Sequence, residues 1–299
     1  KATGKDKNYN LTCLKNILPL YHYNYEYQTW YYYGYIPGQN QMFALFPYMV
    51  LTSGYACILT ADLKKGYFTK EPEMLKMLSE IFENCHSHAS RFASLADSAN
   101  HAAEQMAFLS ATFSERSTGY SLQMEPCFMP VLTKETLQKY VRKDLPGREI
   151  FLVQLQDYTR QLAKQKMIYI CSMEGILSFL QNGRIPEIPD GLYEIPSASD
   201  RIQIVKALLA PERATRLRIL KNSIGNTETP VYLYITPKTG TLRLPLATDQ
   251  MVNLQIQETG MLEAFYDFCE NLDEEMFYSF EEAEQIVEEE MKAGDWKTE

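Results

Sequence analysis

Apolar residues in this chain fall in short runs broken by Gly, Ser and Pro, and between the runs they return at helical spacing. The densest stretch is Met42 to Phe92. Met42 to Leu51 is apolar throughout, Thr52-Ser53-Gly54 interrupts it, and Tyr55 to Thr60 resumes before Lys64-Lys65-Gly66 turns the chain into Tyr67-Phe68-Thr69. Short apolar runs bounded by turn residues predict buried strands. Glu71-Pro72 then opens a helix, because proline at the first helical position forfeits no hydrogen bond. Leu75, Leu78, Ile81 and Phe82 give that helix one apolar face.

Upstream, Leu11, Leu14, Ile17 and Leu18 predict a short helix closed by Pro19. Tyr occupies every second position from Tyr21 to Tyr27, which is strand periodicity with one aromatic face. Trp30 to Tyr35 continues it as far as a Pro37-Gly38 turn. Downstream, Ala93 to Phe113 reads as a helix, and Tyr120 to Leu132 as an extended stretch that Pro126 and Pro130 push towards a sheet edge. Thr133 caps a helix through Val141, and Pro146 starts the next, with Ile150, Val153, Leu155, Tyr158 and Leu162 as its stripe. Met167 to Cys171 is a buried strand. Ser172 caps a helix that Asn182-Gly183 closes. A Pro-rich connector, Arg184 to Asp190, leads to a helix capped at Ser199-Asp200. Four strands follow, at Leu217–Leu220, Val231–Ile235, Thr241–Leu246 and Val252–Ile256. A helix around Leu262, Phe265, Tyr266 and Cys269 comes next, and then a last one whose Ser279 and Glu282 form a capping box.

The pattern predicts a mixed α/β (α+β) protein of strand-rich units, each followed by amphipathic helices. Leu75 to Cys85 and Leu262 to Leu272 echo one another, which suggests a pseudo-duplicated architecture in two halves. The expected division is a linker over 1–10, an N-terminal half over 11–115 and a C-terminal half over 116–299 that ends in an acidic helix.

Composition narrows the function classes. The 299 residues are 45% apolar, enough for a real core. Net charge is −9, yet Glu258 to Glu299 holds 15 acidic and 2 basic residues and leaves the rest slightly positive. An acidic tail helix repels phosphate and is no nucleic-acid surface. The six cysteines show no CxxC and no regular spacing, which fits a reduced, cytoplasmic protein. No apolar run reaches eighteen residues, so no transmembrane helix is expected. The chain opens at Lys1 without Met, and further sequence is expected upstream.

Candidate chemistry is sparse. Cys85 and His88 are i, i+3, with His86 and His101 nearby, but no third ligand falls at matching spacing, so neither metal nor cofactor is expected. There is no GxSxG elbow, Walker A motif or GxGxxG after a strand. Two arginines stand out: Arg184 follows a helix-ending glycine, and Arg201 lies in a first helical turn, where a cation opposes the macrodipole and calls for an acidic partner or an anionic ligand. Of 21 Tyr, those at Tyr31, Tyr33 and Tyr35 form the candidate wall of a ligand pocket. The same stripe also suits a strand packed on a helix or on a partner subunit.

Trp30-Tyr-Tyr-Tyr-Gly-Tyr-Ile-Pro37 and Phe46-Pro-Tyr-Met-Val-Leu-Thr52 resemble the C-terminal region of helix-turn-helix transcriptional regulators of the Cro/repressor-like, xenobiotic-response-element type from Gram-positive gut bacteria. So do Met124-Glu-Pro-Cys127, Ser172 to Glu187 and the helix start at Asp200-Arg201. The likeness spans roughly Leu11 to Met291 and rests on apolar patterns. It implies a non-enzymatic region that senses a small-molecule or peptide effector and forms a homodimer. Contact with DNA would come only through a domain upstream of Lys1. The strand-strand-helix units also resemble the phospholipase D-type fold that some regulators carry in inactive form; no histidine here begins an HxKxxxxD motif. Two alternatives stay open: an enzyme whose site assembles only in three dimensions, and a protein-interaction module using the Tyr-rich face.

Overall fold

In the computed structural model, the described residues are 12–17, 19–20, 27–32, 46–91, 94–96, 118–188, 190–224, 231–245, 251–256 and 259–294. The chain divides into two units, one of Lys1–Ala2 and Tyr27–Ala93, the other of Thr3–Glu26 and Ser94–Glu299. The boundary expected at 115/116 lies outside the described residues.

In the first unit, β1 (Trp30–Tyr31) pairs with β5 (Ser90–Arg91), and β2 (Tyr48–Leu51), β3 (Ala56–Leu59) and β4 (Gly66–Thr69) form an antiparallel meander. The apolar run expected from Met42 is strand from Tyr48 onward, and its start lies outside the described residues. Thr52 closes the first turn, its hydroxyl oxygen accepting from the Tyr55 N–H at 3.1 Å. At the second, Asp62 accepts from the Thr60 hydroxyl at 2.6 Å and the Lys64 N–H at 3.1 Å. Leu63 takes φ 58° there while 61% exposed. A leucine in the left-handed region is strained and here gains no burial in return. Leu63→Gly should therefore raise stability by about 0.5–1 kcal/mol in chemical denaturation.

Helix α1 (Pro72–Ser87) begins at its proline and buries Leu78 against the meander, where Ala56 and Thr69 are also buried. An apolar cavity of about 220 Å³ remains, lined among others by Phe46, Ile58, Tyr67, Met74 and Met77. Register assigns Tyr48, Val50, Cys57, Leu59 and Phe68 to the opposite face of the meander. An antiparallel sheet packed on one side normally turns polar residues outward. Here that outer face is apolar, and Tyr48, Val50 and Phe68 are each about half exposed.

The second unit holds β6 (Ser94–Ala96), β7 (Gly119–Gln123), α2 (Lys134–Tyr140), α3 (Arg148–Lys164), β8 (Met167–Ser172), α4 (Met173–Asn182), α5 (Ala198–Leu208), β9 (Leu217–Leu220), β10 (Tyr232–Ile235), β11 (Gly240–Pro245), β12 (Met251–Ile256), α6 (Thr259–Glu270) and α7 (Phe280–Ala293). Its sheet runs β6-β12-β11-β10-β7-β8-β9, with β7, β8 and β9 parallel and the other pairs antiparallel. Met167, Tyr169, Cys171, Leu217 and Ile219 face a core built with α2 to α5 and α7. The other face carries Tyr120, whose ring meets Tyr266 of α6 edge-on at 5.1 Å. At the β9 edge, the Lys221 and Tyr278 amides donate to Met276 and Ile219 carbonyls at 2.9 Å, so residues 276–278 cover the unpaired strand.

Several expectations change. β7 is central, between β10 and β8, because Pro126 and Pro130 fall beyond its last residue and leave its ladder intact. Pro130 instead sits in a 3-10 turn, Met129–Val131. The helix expected from Ala93 opens as β6, and 97–117 lie outside the described residues. Ser197, not Ser199, caps α5, since its side chain accepts from the Asp200 N–H. Ser172 and Gly183 bound α4, and Ser279 with Glu282 forms the capping box of α7. Ser279→Ala should cost about 1 kcal/mol in urea unfolding, since it strips a partner from an exposed helix end. The echoed helices each follow a three-stranded antiparallel meander, β2-β3-β4 and β10-β11-β12.

Candidate functional site

The parallel run β7-β8-β9 extends to one side of β7, and the chain then returns to its other side with β10. Strand order thus reverses at β7, and in α/β sheets such reversals favour ligand sites at the strands' carboxyl ends. Gln123 is the last residue of β7. Register sets Tyr232, the first residue of β10, opposite Gln123, and Arg243 of β11 opposite Tyr232. One row of the sheet face turned towards α3 therefore reads Arg243, Tyr232, Gln123.

Two loops close over this row. After β7, the Met124 carbonyl accepts from both the Ser172 N–H and the Ser172 hydroxyl at 3.0 Å, and Cys127, Phe128 and Met129 are buried. The connector after α4 is pinned by buried Ile185 and Ile188, and by the Tyr193 hydroxyl, which accepts from the Ile185 N–H at 2.7 Å. Glu194 donates its N–H to the Tyr140 carbonyl at 2.7 Å, which ties the connector to the end of α2. So held, the connector delivers Glu187 to Gln123, whose Nε2 donates to Glu187 Oε1 at 3.0 Å.

Around that contact the polar groups are graded from rim to floor. Arg184 is exposed and stands 3.5 Å from Glu125 and 3.7 Å from Asp190. Glu125 is half-buried and accepts from the Tyr232 hydroxyl at 2.9 Å. On the floor, Glu187 Oε2 and Arg243 Nε are buried without a hydrogen-bonding nitrogen or oxygen partner among the described residues, as are Thr241 Oγ1 and Tyr169 Oη. The Arg243 guanidinium lies 5.4 Å from the Tyr232 ring centroid. Buried polar groups are normally satisfied, because leaving one unpaired costs about 1–3 kcal/mol.

Burial dominates the electrostatics. It raises the Glu187 carboxyl above its ordinary range against the opposing pull of Cys127, Gln123 and Arg243, and it lowers Arg243. Burial, reinforced by Glu187, pushes the Cys127 thiol well up. A nucleophilic thiol needs the reverse shift, so Cys127 is built as a weak donor and not as an attacking group. For Glu187 the linkage has a definite sign. Its folded form holds a proton that the unfolded chain releases near 4.5, so stability is full below that pH and declines as pH rises towards the raised value. Glu187→Gln should flatten that decline when melting temperature is followed from acid to neutral pH.

Of the residues singled out from sequence, Arg184 joins this cluster as part of its rim. Arg201 is buried elsewhere: its Nη1 donates to the Gln181 carbonyl at the end of α4, and a Cβ on Gly183 would meet its Cδ at 3.0 Å. Its acidic neighbour Asp200 is engaged with Lys139 and Tyr140. Tyr31 belongs to the first unit, in β1 opposite Ser90, while Tyr33 and Tyr35 lie outside the described residues. His86 packs edge-on to Trp30 at 4.4 Å, and His88 Nδ1 lies 2.8 Å from the Asn84 carbonyl oxygen. Sequence reasoning missed Gln123, Glu187, Tyr232 and Arg243. A signal existed for Glu187, the one charged residue between two Ile-Pro pairs that bury their isoleucines. Compared with protein-family models, curated proteins and solved structures, the chain matches none.

Proposed function

We propose that this chain is the effector-sensing and dimerisation region of a cytoplasmic transcription regulator, non-enzymatic itself, working with a helix-turn-helix domain encoded upstream. The effector binds over the Gln123–Glu187–Arg243 cluster. One observation carries this reading: the buried Glu187 Oε2 and Arg243 Nε both lack a nitrogen or oxygen partner among the described residues, near the strand reversal and beneath the exposed Arg184. Buried polar atoms without a partner among the described residues also occur at Arg201 Nε and Thr239 Oγ1, but at the strand reversal they gather beneath an exposed rim, where a ligand can reach them. The sequence resemblance supplies the regulatory context. A bound effector shifts the regulator's equilibrium only by its differential affinity for two states.

Dimerisation is assigned to the outer face of β2-β3-β4. Tyr48, Val50 and Phe68, with Tyr55 stacked on Phe68 at 5.6 Å and Lys70 Nζ 5.9 Å from the Phe68 ring, make a largely apolar surface that a second copy would cover. Val50→Glu should convert the dimer to a monomer in light scattering coupled to gel filtration. A wild-type monomer, or a Val50→Glu dimer, rules the assignment out.

The regulator reading is tested by the coding sequence immediately upstream of Lys1. An in-frame helix-turn-helix domain there supports it. Any other fused domain, or a start codon directly before Lys1, overturns it.

A further inference from the structure

Resting on the ligand-site reading above, we propose that the effector is a small monocarboxylate, whose carboxylate is received by Arg243 with the Glu187 carboxyl group and neighbouring hydroxyls as further donors. The unpartnered groups on the floor are unequal in kind. Arg243 Nε can only donate a hydrogen bond, and the Thr241 and Tyr169 hydroxyls are free to donate. Burial shifts the Glu187 carboxyl towards its protonated form, and in that form its Oε2 donates as well. A floor rich in donors is matched by a ligand group rich in acceptors.

Charge sharpens the class. Arg184 already has Glu125 and Asp190 beside it. Arg243 forms no ion pair among the described residues, and the carboxyl nearest to it in effect, Glu187, is driven towards neutrality. A buried cation without a counter-ion is unfavourable, and one negative charge balances it. Arg213 also keeps a buried Nε and Nη2 without a partner among the described residues, but its guanidinium lies against the Tyr169 ring at 5.6 Å, at the far side of the floor from Gln123 in strand register, so the substitution of Arg243 is what separates the two. A planar guanidinium engages the two oxygens of a carboxylate in parallel, and the Tyr232 ring against it shields the pair from water.

The groups that face Glu187 are Gln123 at the end of β7, Cys127 in the following loop, Tyr158 of α3, Tyr193 of the connector and Arg243 of β11. Of these only Arg243 is charged near neutrality. Carboxylate affinity should therefore weaken as rising pH ionises Glu187 and sets a second anion beside the first.

The test is calorimetric titration of the whole chain with acetate, benzoate and indole-3-acetate, with the methyl ester of each, and with benzylamine. At least one acid should bind, while its ester and the amine do not. Arg243→Gln should weaken that acid at least tenfold, Arg243→Lys should restore part of the loss, and Ser279→Ala should bind as the wild type. Glu187→Gln should remove the decline of binding with rising pH, since an amide cannot ionise. An ester that binds as tightly as its acid overturns the carboxylate. Binding of an acid that Arg243→Gln leaves unchanged overturns the assignment to Arg243. No binding by any of the acids overturns the proposal as a whole, while an upstream helix-turn-helix would still stand for the regulator.

Discussion

Gly175→Val is expected to destabilise the chain by about 3 kcal/mol or more, the severe end of overpacking. A Cβ at position 175 would lie 2.1 Å from the Met124 carbonyl oxygen, 2.8 Å from its carbon and 2.9 Å from the Glu125 Cα. All three are backbone atoms, so no side-chain rotation relieves the clash. The close approach has a cause: Ser172 draws Met124 onto the first turn of α4 with two hydrogen bonds while its own Oγ accepts from the Gly175 N–H at 3.0 Å. Only a glycine leaves room for a second strand of backbone against that turn. Gly175→Ala should already show most of the loss as a lowered urea midpoint. An unfolding free energy within about 0.5 kcal/mol of the wild type would mean the two backbones do not meet this way. Met124 and Glu125 sit directly on this contact, so the rim of the candidate site should loosen along with the fold.

Phe128→Ala should cost about 3–5 kcal/mol, the usual range for removing a fully buried ring. Phe128 is 0% exposed, and its ring meets that of Phe179 in α4 with centroids 3.9 Å apart. The surrounding core, with Leu155, Ile176 and Leu180 also at 0%, has no side chain free to collapse into the space. Phe128→Leu retains part of the volume and should lose less than half as much. If the alanine and leucine variants unfold at the same urea concentration, the ring is not packed as described. Phe128 anchors the loop that bears Glu125 and Cys127, so partial unfolding of this loop should appear in hydrogen exchange before global unfolding.

Much of the architecture was legible in the residues. Ser172 with Asn182-Gly183, and Ser279 with Glu282, marked helix ends because a side-chain oxygen that caps, or a glycine in the left-handed region, acts within one turn. The four strands from Leu217 to Ile256 were legible because each apolar run is bounded by polar or turn residues. Where local signals conflicted, tertiary context prevailed: Pro126 and Pro130 suggested an edge, yet β7 ends at Gln123 and is buried on both sides.

The candidate site was legible only in part. Arg184 was visible as an arginine after a helix-ending glycine, and it stands on the rim. Arg201 carried a comparable signal and proved to serve the end of α4, because a first-turn arginine can find a carbonyl of a neighbouring helix as readily as an anion. Gln123, Glu187, Tyr232 and Arg243 are spread over 121 positions and share no motif. Their meeting depends on the register of three strands and on a connector pinned by buried isoleucines.

The sequence by itself determined that this protein is mixed α/β, where most of its strands and helices begin and end, and that its acidic charge gathers at the C-terminal end. These are properties of neighbours along the chain, set by propensity, capping and periodicity. The tertiary structure alone decided which strand is central, that one face of a small meander is apolar and half exposed, and that a buried carboxyl oxygen and a buried guanidinium nitrogen, each without a nitrogen or oxygen partner among the described residues, lie near where the strand order reverses. Such features arise from pairing between distant segments, and no local pattern encodes which distant segment a strand will find.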